Sequence, residues 1–150
     1  MKKVSFVFVA VAAGSVALAA SAGSTAQAEP ARAPAADSAF VLKVDAPATP
    51  KGQKGVAKIH ITPGAGYHMN KEYPTSLTFT TVPAGVSVDK LKLTSKDAAR
   101  WEEQGGEFDV SYTAAQPGKK VVTGELKFAV CSANSCDPKR SSVSFEIDVK

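Results

Sequence analysis

The sequence is poor in the residues from which most catalytic and membrane-embedded proteins are built. Among 150 residues there are one Trp, two His, two Cys and two Met, and aromatics make up 7%. Beyond the first twenty positions no apolar run approaches the ~20 residues that a spanning helix needs, so the mature chain is expected not to cross a membrane. There is no basic block. Lys and Arg number 18 against 14 Asp and Glu, and they are scattered without interleaved aromatics, which excludes nucleic acid as a partner. There is no Gly-rich phosphate loop, since Gly105-Gly106 is a turn signal. Neither histidine lies near a serine in a recognisable elbow, and Glu102-Glu103 is a solvated carboxylate pair without a second site. No cofactor is expected. A chain of this length holds one compact domain and has no room for a large catalytic fold.

What the chain does have begins with an export signal. Met1-Lys2-Lys3 is a positive n-region, Val4 to Ala20 an apolar run, and Ala26-Gln27-Ala28 the small-x-small pattern that a signal peptidase reads. Residues 1–28 are thus predicted to be a signal peptide, and the protein periplasmic or secreted. Removing Lys2 and Lys3 leaves 16 positive against 14 negative side chains. Residues 29–39 (EPARAPAADSA) are rich in Ala and Pro with little to bury, and read as an extended tether.

From residue 40 to 150 the pattern is short alternation broken by Pro and Gly. Phe40-Leu42-Val44, Ala57-Ile59-Ile61, Leu77-Phe79, Phe108-Val110-Tyr112, Val122 with Leu126-Phe128-Val130, and Val143-Phe145-Ile147-Val149 each place apolar residues on one face. Val86-Val88 and Leu91-Leu93 differ in parity, which predicts a bulge or break between them. Period-two alternation of this kind belongs to antiparallel sheets with one wet face. Seven to eight such strands in about 110 residues predict an all-β fold, an immunoglobulin-like antiparallel β-sandwich. Residues 96–106 (KDAARWEEQGG) carry no strand period and read as a long loop or a single helical turn.

The two cysteines are the most informative pair. Cys131 and Cys136 are separated by four residues in an exported chain, which predicts an intramolecular disulfide between a strand ending at Val130 and one starting near Ser141. Parity places Cys131 in phase with Glu125 and Lys127, on the outer face, within reach of another protein. Closing so short a loop stabilises by only about 2 kcal/mol in the chain-entropy model, so a structural staple and an exchanging pair both stand. The spacing and the strand-loop-strand context differ from the thioredoxin motif, which sets two residues between its cysteines at a helix start. His60, His68 and Met69 with a cysteine are the ligand types of blue copper. No His or Met follows Cys136, however, and His60 shares a solvent face with Lys58, so no metal site is expected.

Two stretches carry a resemblance. Gly66-Tyr67-His68-Met69-Asn70-Lys71, together with Leu126 to Cys131 and Cys136-Asp137-Pro138, resembles the amino-terminal periplasmic domain family of the thiol:disulfide interchange protein DsbD. The likeness covers about Phe40 to Lys150. It departs in a cysteine spacing one residue shorter, in Asp137 where an aromatic is usual, and in Asn70 for a second tyrosine. The resemblance implies the same sandwich, with Cys131 and Cys136 relaying electrons to or from a thioredoxin-fold or membrane thiol-disulfide exchange protein. Tyr67, His68 and Trp101 would shield the pair or contact that partner. On this reading the chain is at most a component of a thiol-disulfide oxidoreductase. The alternative is a non-catalytic envelope binding domain whose disulfide only pins its last hairpin, since one fold hosts many functions.

Overall fold

The computed structural model describes residues 39–150. The predicted signal peptide and all of the predicted tether except Ala39 lie outside the described residues. Ala39 is buried and its carbonyl accepts the Gly64 amide (2.8 Å), so it belongs to the domain.

Each alternating run forms a strand with its apolar face inward. The strands are β1 (Phe40–Asp45), β2 (Lys54–Pro63), β3 (His68–Met69), β4 (Ser76–Thr81), β5 (Val86–Val88), β6 (Lys92–Thr94), β7 (Arg100–Glu102), β8 (Gly105–Ala114), β9 (Gly118–Cys131) and β10 (Cys136–Val149). One sheet has the order β1-β2-β8-β5, with β7 also on β8. The other has the order β10-β9-β4-β6, with β3 also on β9. All named pairings are antiparallel. This is an immunoglobulin-like β-sandwich. The described residues form ten strands where seven to eight were expected, because β3 and β7 are too short to show a period. Among the described residues no helix is long and apolar enough to cross a membrane.

The chain enters in the first sheet and reaches for the second. After Pro47, Thr49 forms a parallel bridge to Val149, with its amide on the Asp148 carbonyl and its own carbonyl on the Lys150 amide. Between the sheets lie Ala57, Ile59, Ile61, Phe108, Val110 and Tyr112 from one side, and Leu77, Val122, Leu126, Phe128, Val143 and Ile147 from the other. Phe40 meets Phe128 edge-on across the gap, with ring centroids 4.9 Å apart. Such a pair adds roughly 0.5–1.5 kcal/mol beyond its buried area.

The parity break between Val88 and Leu91 marks a change of sheet. β5 lies beside the upper part of β8, the chain then crosses to place β6 beside β4, and it returns to lay β7 along the lower part of β8. Residues 96–106 are therefore not a plain loop. A 3-10 turn at Ser95–Asp97 leads into β7, and Gly105 already starts β8. The turn is held by a capping box, in which the Asp97 carboxylate accepts both the amide and the hydroxyl of Thr94 at 2.9 Å.

Candidate functional site

The last hairpin holds the cysteines. β9 and β10 pair over fourteen residues each, from Gly118↔Val149 to Cys131↔Cys136, so the cysteines close the ladder. They are joined by a disulfide, with Cα atoms 3.9 Å apart. β10 begins at Cys136 and not near Ser141. The ladder continues through Pro138, which sits on the edge strand, where a missing N–H is tolerated.

The four-residue loop is organised by one side chain. Ser132 donates its amide to the Ser135 carbonyl (2.7 Å), and its hydroxyl oxygen accepts the amides of Asn134 (3.3 Å) and Ser135 (3.2 Å). Serine hydroxyls favour such local turns because they replace backbone partners that the bend removes. The spacing Ser132…Ser135 is the sequence signal of this turn.

The expected exposure of Cys131 is corrected. The residue is 5% exposed, and Phe128, Ala129 and Val130 before it are buried as well. Parity is right about the face but misses what surrounds it. At this end β9 has a neighbour on each side, β10 on one and β3 on the other, and the Asn70 amide bonds the Ala129 carbonyl (2.9 Å). Cys136, opposite, is exposed.

The motif around Tyr67 arrives beside the cysteines through β3. His68 stands opposite Cys131 and Met69 opposite Val130. Met69 is buried, His68 is exposed, and Tyr67 is half-buried against the core with its amide on the Gly64 carbonyl (3.0 Å). Asn70 then turns the chain, its side-chain oxygen accepting the amides of Glu72 (3.0 Å) and Tyr73 (3.1 Å). The β7–β8 turn meets this segment where the Met69 amide bonds the Glu103 carbonyl (2.8 Å). Trp101 packs against the core from β7. It lies across Gly106 and 5.6 Å from the Phe108 ring, in the first sheet, with its indole nitrogen buried and unpartnered.

The copper donor set is split between sheets. His60 is on β2, where its Nδ1 lies 3.2 Å from Glu107, while His68 and Cys131 are in the other sheet and the thiol is committed to the disulfide.

No family model matches the chain, and no curated protein matches it. Seven solved chains show similarity, among them an S-layer protein fragment and a fimbrial subunit. Domains 4 and 5 of the S-layer protein SbsC match over 73% of this chain and 53% of that one, at 14% identity and a TM-score of 0.34. AggA, the major subunit of aggregative adherence fimbriae type I from Escherichia coli, matches over 74% of this chain and 95% of its own, at 9% identity and a TM-score of 0.36. The chain thus spans about half the length of the S-layer fragment.

Proposed function

We propose that this chain is a non-catalytic, exported, envelope-associated β-sandwich module in which Cys131–Cys136 pins the β9–β10 hairpin. The observation that carries this is the burial of Cys131 at the closed end of a fully paired ladder. A buried sulfur is a poor target for thiolate attack, and a hairpin already closed by Ser132 leaves the bond a stapling role. The disulfide and the signal-like amino terminus both fit an oxidising compartment outside the cytoplasm. The deciding experiment equilibrates the purified protein in graded thiol-disulfide buffers and counts free thiols by alkylation and mass. A potential below about −300 mV is expected for a staple, and one between about −180 and −270 mV would sink the reading.

A second reading keeps the relay that the DsbD resemblance implies. It is favoured by the exposure of Cys136 and by the placing of His68 opposite Cys131. A partner thiolate would attack the Cys136 sulfur and form a mixed disulfide, with Cys131 leaving as thiolate. The partner's second thiolate would then attack that mixed bond, so that the partner is oxidised and this pair reduced. Only Cys136 presents an outward face, so this reading expects Cys131→Ser to trap a mixed disulfide and Cys136→Ser to trap none. Absence of a trapped species in both strains removes it.

A further inference from the structure

The two sheets differ in the charge they turn to solvent. On the first, Lys58 sits 2.9 Å from both Glu107 and Asp109, and Lys54 lies 2.6 Å from Asp89. On the second, Leu77, Leu93 and Leu126 point inward, so Ser76, Lys92, Thr94 and Lys127 point outward. Two ladder rows cross this face. One runs Thr94–Ser76–Lys127–Arg140 and the next Lys92–Thr78–Glu125–Ser142. A single carboxylate oxygen of Glu125 serves both Lys127 (3.2 Å) and Arg140 (3.9 Å). Among the described residues, neither Lys92 nor Lys96 is paired with a carboxylate.

At the β4–β6 end of these rows is a cavity of about 350 Å³, lined by Pro74, Thr75, Ser76, Lys92, Thr94, Ser95 and Lys96. It has no acidic wall. The nearby Asp97 carboxylate is held by Lys90 (2.6 Å) and Thr94, and it lines a separate cavity beside Asp89 and Asp109. Two of the four hydroxyls are spent, Thr94 on Asp97 (2.9 Å) and Thr75 on the Tyr73 carbonyl (3.3 Å). Those of Ser76 and Ser95 have no partner among the described residues. The 3-10 turn is too short to supply a helix dipole, so the ligand's charge must be met by side chains.

We infer that this cavity binds a phosphate monoester carried on a small polar body the size of a sugar, with Lys92 and Lys96 pairing its charge and Ser76 and Ser95 donating to its oxygens. A phosphate monoester bears nearly two negative charges at neutral pH, which matches two ammonium groups. The volume exceeds what the phosphate alone would fill, and it lies at the small end of the roughly 300–1,000 Å³ usual for ligand sites. Lys127 and Arg140, one and two strands away at about 4.8 Å per strand, add long-range attraction without touching the ligand. The assignment goes beyond the module reading and does not depend on what the disulfide does.

The test is a titration of the ¹⁵N-labelled full chain with glucose 6-phosphate, inorganic phosphate and glucose, followed by amide shifts. Glucose 6-phosphate should move the amides of Ser76, Thr94, Ser95 and Lys96 and bind more tightly than inorganic phosphate, while glucose should move none. The double variant Lys92→Gln/Lys96→Gln should weaken binding by about tenfold or more, the worth of one charged hydrogen bond. Ser95→Ala, which leaves every charge in place, should weaken it too, and Lys43→Gln on the opposite sheet should not. Amides unmoved by glucose 6-phosphate would overturn the site. Equal affinity for inorganic phosphate would overturn the sugar-sized body. A loss with Lys43→Gln as large as with the lysine pair would reduce the effect to general attraction and overturn it as well.

Discussion

The hydroxyls of Thr49 and Tyr112 lie 2.9 Å apart, joining a residue bridged to β10 in one sheet with a strand at the centre of the other. Thr49 is nearly the only polar residue in this core, and its oxygen also donates to the Pro47 carbonyl (3.2 Å). The bond therefore fixes where the chain leaves β1 and changes sheet.

Replacing Tyr112 by Phe should cost about 1 kcal/mol, the usual net worth of a neutral buried hydrogen bond, because Thr49 keeps Pro47 as a partner. Urea unfolding monitored by circular dichroism measures it. An unchanged midpoint would mean that the two hydroxyls contribute nothing together.

Gly106 must stay small. A Cβ there would fall 2.4 Å from the Trp101 ring, while its backbone pairs with Ile61 on one side and Trp101 on the other. Gly106→Ala should push the indole off β8 and destabilise the fold by roughly 1–3 kcal/mol, as overpacking does. Trp101 is the sole tryptophan, so its fluorescence should shift to the red in the folded variant. Unchanged emission with unchanged stability would contradict the packing described.

The disulfide should be dispensable for folding. Cys131→Ala/Cys136→Ala should retain the native circular dichroism spectrum and lose about 2 kcal/mol of stability, the loop-closure value for so short a ring. Collapse of the fold in the double variant would assign the bond a larger share than the Ser132 turn and the ladder leave for it.

The turn between β6 and β7 should loosen in acid. Lys90 first, then the amide and hydroxyl of Thr94, hold the Asp97 carboxyl down from its ordinary 3.8 to about 2. A carboxyl lowered by folding stabilises the fold above its unfolded pKa and ceases to as pH falls through the folded one. Its contribution is thus complete above 3.8, declines below that, and is gone under about 2. Carboxyl ¹³C titration should find that low midpoint, and Lys90→Met should move it back up. A midpoint near 3.8 in the unmodified protein would refute the capping box.

The sandwich was legible because its long strands announce themselves. Val122, Leu126, Phe128 and Val130 alternate as predicted and are all buried, and the parity break after Val88 is the change of sheet. What escaped the pattern was short. His68–Met69 and Arg100–Glu102 span too few residues to have a period, yet each lies along a central strand. The error over Cys131 follows from the first of these. Alternation reports which way a side chain points, not whether a neighbouring strand has come alongside. The cavity beside Lys92 was invisible for the same reason, since Ser76 and Thr94 meet only through pairing.

The split partner of β8 has a consequence for how such molecules meet. β5 and β7 offer three residues each, and between them the chain departs to the other sheet. A strand from another chain aligning there would find no unbroken row of amides and carbonyls to copy. Across the second sheet, β10 runs long, but Pro138 interrupts its donors, Arg140 adds charge, and Thr49 occupies its far end. These two borders thus discourage runaway stacking into fibres, and of the first sheet's edges the six-residue β1 is the one left with an unbroken row for a partner strand to copy.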